Sequence, residues 1–223
     1  MIYPYCDAVI ENHIKKEVEM RKFISVSIVF IVLLNCNCFI FSSYQSAKML
    51  NRGERTVTPS IGGAVTSDFE DLTTVQIPFG VTYGFAPSER VNFCITEGFY
   101  PTFSTGSFLN YGSIEGKIGL RRDTSALSSF IMYHIGPGEY EMSLQIGTRF
   151  IRTFYFRSGA DLTLTPHFGY VLSGYSGPYL GTHVSIGLPV NEDVTVRPEI
   201  GIANLELSNW WLVHFGVGLN VSL

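Results

Sequence analysis

Residues 211–223 read WLVHFGVGLNVSL, and the orientation of this stretch decides the fold. Side chains alternate between two faces of an extended strand. Val213, Phe215, Val217, Leu219, Val221 and Leu223 share one face; His214, Gly216, Gly218, Asn220 and Ser222 share the other. The apolar face points either into a protein core or outward into lipid.

The same period-two rhythm recurs from residue 55 onward, with turn chemistry between the runs. Apolar faces recur over 57–65, 75–85, 91–95, 114–120, 127–135, 142–148, 162–170, 180–188 and 194–202. Punctuation comes from stretches such as Ala86-Pro87-Ser88-Glu89, Arg122-Asp123-Thr124-Ser125, Pro137-Gly138 and Asn191-Glu192-Asp193. With the quoted stretch this predicts about ten strands (8–12), an even number as in bacterial outer-membrane barrels. Alternation blurs only over FIRTFYFRS, residues 150–158, which either prolongs the sixth strand or forms a short turn helix.

Composition separates the two orientations. Charged residues make up 15% of the chain against 46% hydrophobic, where soluble domains carry roughly 25% charged. A soluble lipocalin-like barrel would carry rows of Lys and Glu on its outer face. The polar face here holds Gly, Ser, Thr, Asn and Gln, with isolated charges of both signs. Small and polar side chains suit a narrow lumen. Glu115, Lys117, Arg121, Glu141, Arg149, Arg197 and Glu199, with His167 and His183, are expected to form a paired network inside it, because burying them in apolar packing would be costly. Tyr83, Phe85, Tyr133, Tyr140, Tyr170, Tyr179, Trp210 and Trp211 lie near strand ends and are expected to form an interfacial girdle. The expectation is lipid on the outside.

The N-terminal region reads differently. Met20 is followed by Arg21 and Lys22 and then an apolar run over 23–34, a cationic segment ahead of an apolar one as in a secretory signal. Residues 1–19 read as an upstream extension, 20–43 as a signal peptide or lipoprotein leader, 44–55 as a periplasmic linker and 56–223 as the barrel. A cytoplasmic tail ahead of a membrane anchor is the alternative. Leu33-Leu34-Asn35-Cys36 resembles the lipobox of bacterial lipoproteins, which implies acylation at Cys36, with Cys38 as a competing site. Residues 44–54 resemble the lead-in segment of small barrel lipoproteins. The final strand is similar to the assembly signal of outer-membrane proteins, which implies recognition of 211–223 by the barrel-assembly machinery. Leu223 stands where that signal usually has Phe.

His134, His167, His183 and His214 are general-base candidates by type; His167 and His183 fall on neighbouring strands, and hydrogen bonding within a packed lumen is the favoured role. Omptin proteases also have about ten strands, and Asp68, Glu70 and Asp71 lie in the first outer loop, but the paired carboxylate and His-Asp arrangement is not matched. No lipid-facing His-Ser pair of the lipid A deacylase kind is evident. Ser173-Gly174-Tyr175-Ser176-Gly177-Pro178 resembles a nucleophile elbow, yet Pro178 replaces the second glycine and no helix follows; it reads as an outer loop. Cys94 reads as a small lumen residue. No catalytic residue, metal ligand or cofactor is assigned. The net charge of −4 without a basic stripe excludes nucleic acid as a partner. The expectation is an all-β, closed antiparallel transmembrane barrel of the bacterial outer membrane, contacting lipid, with a structural or surface role or restricted passage of small solutes. An outer-membrane hydrolase and a soluble lipocalin-like carrier are the alternatives.

Overall fold

The computed structural model describes residues 44–67, 72–102, 107–135, 142–172, 176–205 and 210–223. The leader with Cys36 and Cys38, the loop residues Asp68, Glu70 and Asp71, and Tyr140 and Glu141 lie outside them.

Eleven strand segments follow one another: β1 (Arg55–Ser67), β2 (Leu72–Gln76), β3 (Phe79–Ser88), β4 (Val91–Thr102), β5 (Ser107–Arg121), β6 (Ser125–Ile135), β7 (Met142–Tyr155), β8 (Asp161–Val171), β9 (Gly177–Pro189), β10 (Val194–Leu205) and β11 (Trp210–Ser222). Segments β2 and β3 are two halves of one strand. Both pair with β1 in a single register, Ala64 opposite Gln76 and Ile61 opposite Phe79. Ile77 and Pro78 interrupt the ladder because proline has no amide proton to give. The Pro78 carbonyl still accepts from the Gly62 amide at 3.0 Å. Neighbouring strands are antiparallel, and β11 pairs back onto β1 from Thr56–Ser222 to Ser67–Trp211. The sheet is therefore a closed barrel of ten strands, which leaves no sheet edge.

Lengths and faces fit a bilayer. Apart from the interrupted strand, the segments run 11 to 15 residues, where a tilted strand needs about 9–11 to cross the hydrocarbon. The alternation predicted from sequence sets the faces. Ile114, Ile131 and Ile200 stand 63%, 55% and 55% exposed on the outside, whereas Arg149 and His214 are 2% and 0% exposed inside. An inside-out distribution of this kind is what hydrocarbon contact selects. In the quoted strand Val213 and Leu219 face out and Leu212, His214, Gly216 and Gly218 face in. The apolar face of the final strand therefore points outward, as in a transmembrane barrel.

The blurred stretch 150–158 prolongs β7 to Tyr155 and then turns back through residues 156–160, with Gly159 at φ +84°. Its alternation is hidden because Ile151, an apolar residue, points inward and is fully buried. It packs with Ala126 against Ala47 and Met49. Those two belong to the stretch assigned above to a linker, and this stretch enters the lumen at the end where the short turns lie. Its backbone is tied to the wall. The Ala47 amide donates to Thr153 Oγ1 at 2.8 Å, the Met49 amide to Asp123 Oδ1 at 3.2 Å, and Asn220 Nδ2 donates to the Tyr44 carbonyl at 3.1 Å.

Candidate functional site

The lumen is stacked in three layers. Towards the loop end, Ala64, Phe130, Met132, Tyr179, Ala203 and Leu212 form a buried apolar cluster. At the short-turn end, residues 44–50 fill the bore. Between them runs a belt of charged and imidazole side chains, buried from both sides.

Two ion pairs anchor the belt. Arg149 Nη1 donates to Glu115 Oε2 at 2.6 Å, and the guanidinium lies 4.2 Å from the Phe130 ring centroid. Ser128 Oγ donates to the other Glu115 oxygen. Arg197 grips Asp161 with two parallel bonds of 2.7 Å, the bidentate geometry that makes guanidinium–carboxylate pairs strong, and Thr163 Oγ1 donates to Asp161 Oδ1 at 3.1 Å. Each pair reaches across an intervening strand over a small residue, Ser128 on β6 and Gly187 on β9. A Cβ at Gly187 would collide with both Asp161 and Arg197. Lys117 takes a different partner: its Nζ donates to the carbonyls of Ser46 and Lys48, both at 3.1 Å, and so clamps the inserted segment.

The remaining belt residues cluster on the wall formed by β8–β11. The His167 and His183 rings lie 4.4 Å apart between centroids, and His183 and His214 lie 4.7 Å apart edge to face. Glu199 reaches this stack, with Oε1 3.2 Å from His183 Nδ1 and 3.9 Å from His214 Nε2. His134 stands apart near the loop end, where its Nδ1 meets the Tyr100 hydroxyl at 2.7 Å.

Of the residues expected in the lumen network, Glu115, Lys117, Arg149, His167, His183, Arg197 and Glu199 are buried inside. Arg121 is exposed at the short-turn rim. Asp161 and His214 join the network without having been assigned to it. Their inward parity was legible, but no local signal gives a partner two strands away. Among the expected girdle residues, Tyr83, Phe85, Tyr133 and Tyr170 have outward parity, and Phe85 stacks on Phe93 with centroids 5.6 Å apart. The Tyr133 hydroxyl donates to the Glu97 carboxylate at 2.9 Å. Trp211 is half-buried with the same parity; Trp210 begins β11. Tyr179 corrects the girdle assignment. It shares the face of Gly181 and His183, points inward and is fully buried over Gly169. Cys94 is buried on the lumen side.

No family model matches the sequence, and no curated protein matches it. Among solved structures, the chain is similar to the KdgM porin in complex with disordered oligogalacturonate, at 8% identity over 75% of this chain and 99% of that one, with a TM-score of 0.43. It is similar to the translocator domain of the autotransporter NalP from Neisseria meningitidis, at 10% identity over 77% and 89%, with a TM-score of 0.41. It is also similar to Neisserial surface protein A, at 12% identity over 76% and 99%, with a TM-score of 0.37. The assignment of a transmembrane barrel rests on ring closure and on the direction of the side chains.

Proposed function

We propose that this protein is a bacterial outer-membrane barrel with a closed lumen, serving as a structural or surface-exposed component rather than as an open pore. The observation that carries the reading is the filled bore. Between Tyr44 and Gln45 on one side and Tyr111, Glu115 and Arg149 on the other, the free space is about 10 Å³, room for about one water. A ten-stranded barrel has little bore to begin with, and the inserted segment takes up part of that. The outer-membrane location is supported by the barrel architecture and by the secretory pattern at Met20–Leu34. The last strand, β11, closes the ring on β1, and we assign it the contact with the barrel-assembly machinery.

A second reading, restricted passage of small solutes, draws on a cleft of about 360 Å³ at the short-turn end. Lys117, Asp161 and Arg197 line it beside Tyr44, Gln45 and Ser46. Conductance in planar bilayers separates the two. A closed component shows no steady channel, whereas small, regular current steps would favour passage.

The membrane orientation is tested by Ile131→Lys on the lipid face. A lysine at the midplane of such a barrel costs about 2–4 kcal/mol, so the heat-dependent shift in gel mobility of the membrane-extracted protein should begin at lower temperature. An unchanged shift would mean that Ile131 does not face hydrocarbon.

A further inference from the structure

The imidazole stack on the β8–β11 wall has a chemistry that the ion pairs do not share. Among the described residues, both ring nitrogens of His183, both of His214, and Oε1 of Glu199 are buried without a hydrogen-bond partner. These side chains are 1%, 0% and 1% exposed. The 3.2 Å approach of His183 Nδ1 to Glu199 Oε1 is too poorly aligned to count as a hydrogen bond. Buried polar atoms are nearly always satisfied, so these orphaned atoms, one from each residue gathered in one place, call for an occupant. A cation would accept one lone pair from each imidazole and one from the carboxylate.

The three donor atoms, one from each residue, all lie within 4.8 Å of one another. Around a tetrahedral zinc with bonds of about 2.1 Å, ligand atoms sit about 3.4 Å apart, which small side-chain rotations would reach from here. The glutamate is already aimed. The Tyr44 backbone amide lies in hydrogen-bond range of its carboxylate, which leaves Oε1 turned to the rings. His214 has its place because the facing residue on β10 is Gly201, where a Cβ would strike the ring. Two imidazoles and one carboxylate suit zinc and its neighbours rather than magnesium or calcium, which favour all-oxygen cages.

We propose that the lumen holds one divalent transition-metal ion of the zinc class between His183, Glu199 and His214, with a fourth position open to water or a neighbouring side chain. The ion would staple β9, β10 and β11 together and, through Glu199 and Tyr44, tie the inserted segment to them. This inference rests on the barrel itself and not on its cellular location or on whether it conducts.

The test uses the full chain, folded into detergent micelles after treatment with chelator and then dialysed against Zn(II) or Co(II). Barrel formation is scored separately by heat-dependent gel mobility, so a folding failure is not mistaken for lost binding. The wild type should retain one ion per chain, and its Co(II) form should show the visible d–d bands of a tetrahedral site. Glu199→Gln, which keeps the shape of the side chain, should bind at least tenfold more weakly. His183→Gln/His214→Gln should lose the bands altogether. Should that double variant not fold, the wild-type stoichiometry and Glu199→Gln decide the matter. The proposal is overturned if the folded wild type retains no ion. It is equally overturned if the folded variants bind as well as wild type, or if the Co(II) spectrum is a thiolate charge-transfer spectrum from the cysteines.

Discussion

The two ends of the lumen are filled by different means. Towards the loops, the filling comes from the wall. Phe130 and Met132 from β6, Tyr179 from β9 and Leu212 from β11 reach inward and meet in the bore. At the short-turn end, the chain itself supplies it. Residues 44–50 enter as backbone, contribute only Tyr44, Ala47 and Met49 as buried side chains, and are held by hydrogen bonds to Thr153, Asp123, Lys117 and Asn220. A wall layer is as permanent as the barrel. A layer made of inserted chain can in principle be withdrawn while the barrel stays closed, because its bonds are separate from the ladders that join the strands.

The largest effect is expected where both layers depend on the same belt. Arg149→Ala leaves Glu115 buried without its guanidinium and should cost about 3–5 kcal/mol, read as a lower urea midpoint for tryptophan fluorescence in lipid vesicles. Adding Glu115→Gln to Arg149→Met should recover most of that loss; failure to recover would mean that Arg149 acts mainly through its packing on Phe130. A smaller effect, confined to one end, is expected from Lys117→Met. The carbonyls of Ser46 and Lys48 are then left unpaired, at about 1–3 kcal/mol. Intermittent current should appear in planar bilayers while heat-dependent mobility persists. Silence in the bilayer would show that the segment is held without the lysine clamp. The smallest effect belongs to Ile151→Val, which removes one methylene beside Ala47 and Met49. It should cost about 0.5–1.5 kcal/mol and leave the loop-end layer untouched, as judged by an unchanged near-UV signal from Tyr179 and its neighbours.

How much of this was legible follows from what each feature asks of the sequence. The strands and their faces were readable because hydrocarbon on one side enforces alternation at Val213, Phe215 and Val217 as much as at Ile114, Ile118 and Leu120. Glu115, Arg149, Arg197 and Glu199 were readable as lumen residues by parity alone. Parity would also have turned Tyr179 inward, since it shares a face with Gly181 and His183; its aromatic character and its place near a strand end masked this. The partners were not readable. The Arg197–Asp161 bond spans β9, and its enabling feature is the absence of a side chain at Gly187. The inserted segment was not readable at all, because it has no period: a stretch buried through its amides and carbonyls leaves almost no trace in its side chains. Its one imprint lies elsewhere, in the inward Ile151 that disturbs the rhythm of β7.

The ring-over-glycine pairs carry a consequence for assembly. Phe130 lies over Gly147, His167 over Gly181, Tyr179 over Gly169 and His214 over Gly201, each glycine being the ring's direct cross-strand partner. Sliding a strand by one residue would turn its polar face to lipid and is forbidden by solvation. Sliding by two keeps every face correct, so solvation cannot detect it. The rings can: a two-residue slip between β8 and β9 would bring Tyr179 against His167 or Val171. Steric interlocks thus act as error-checking for a mistake to which the membrane is blind.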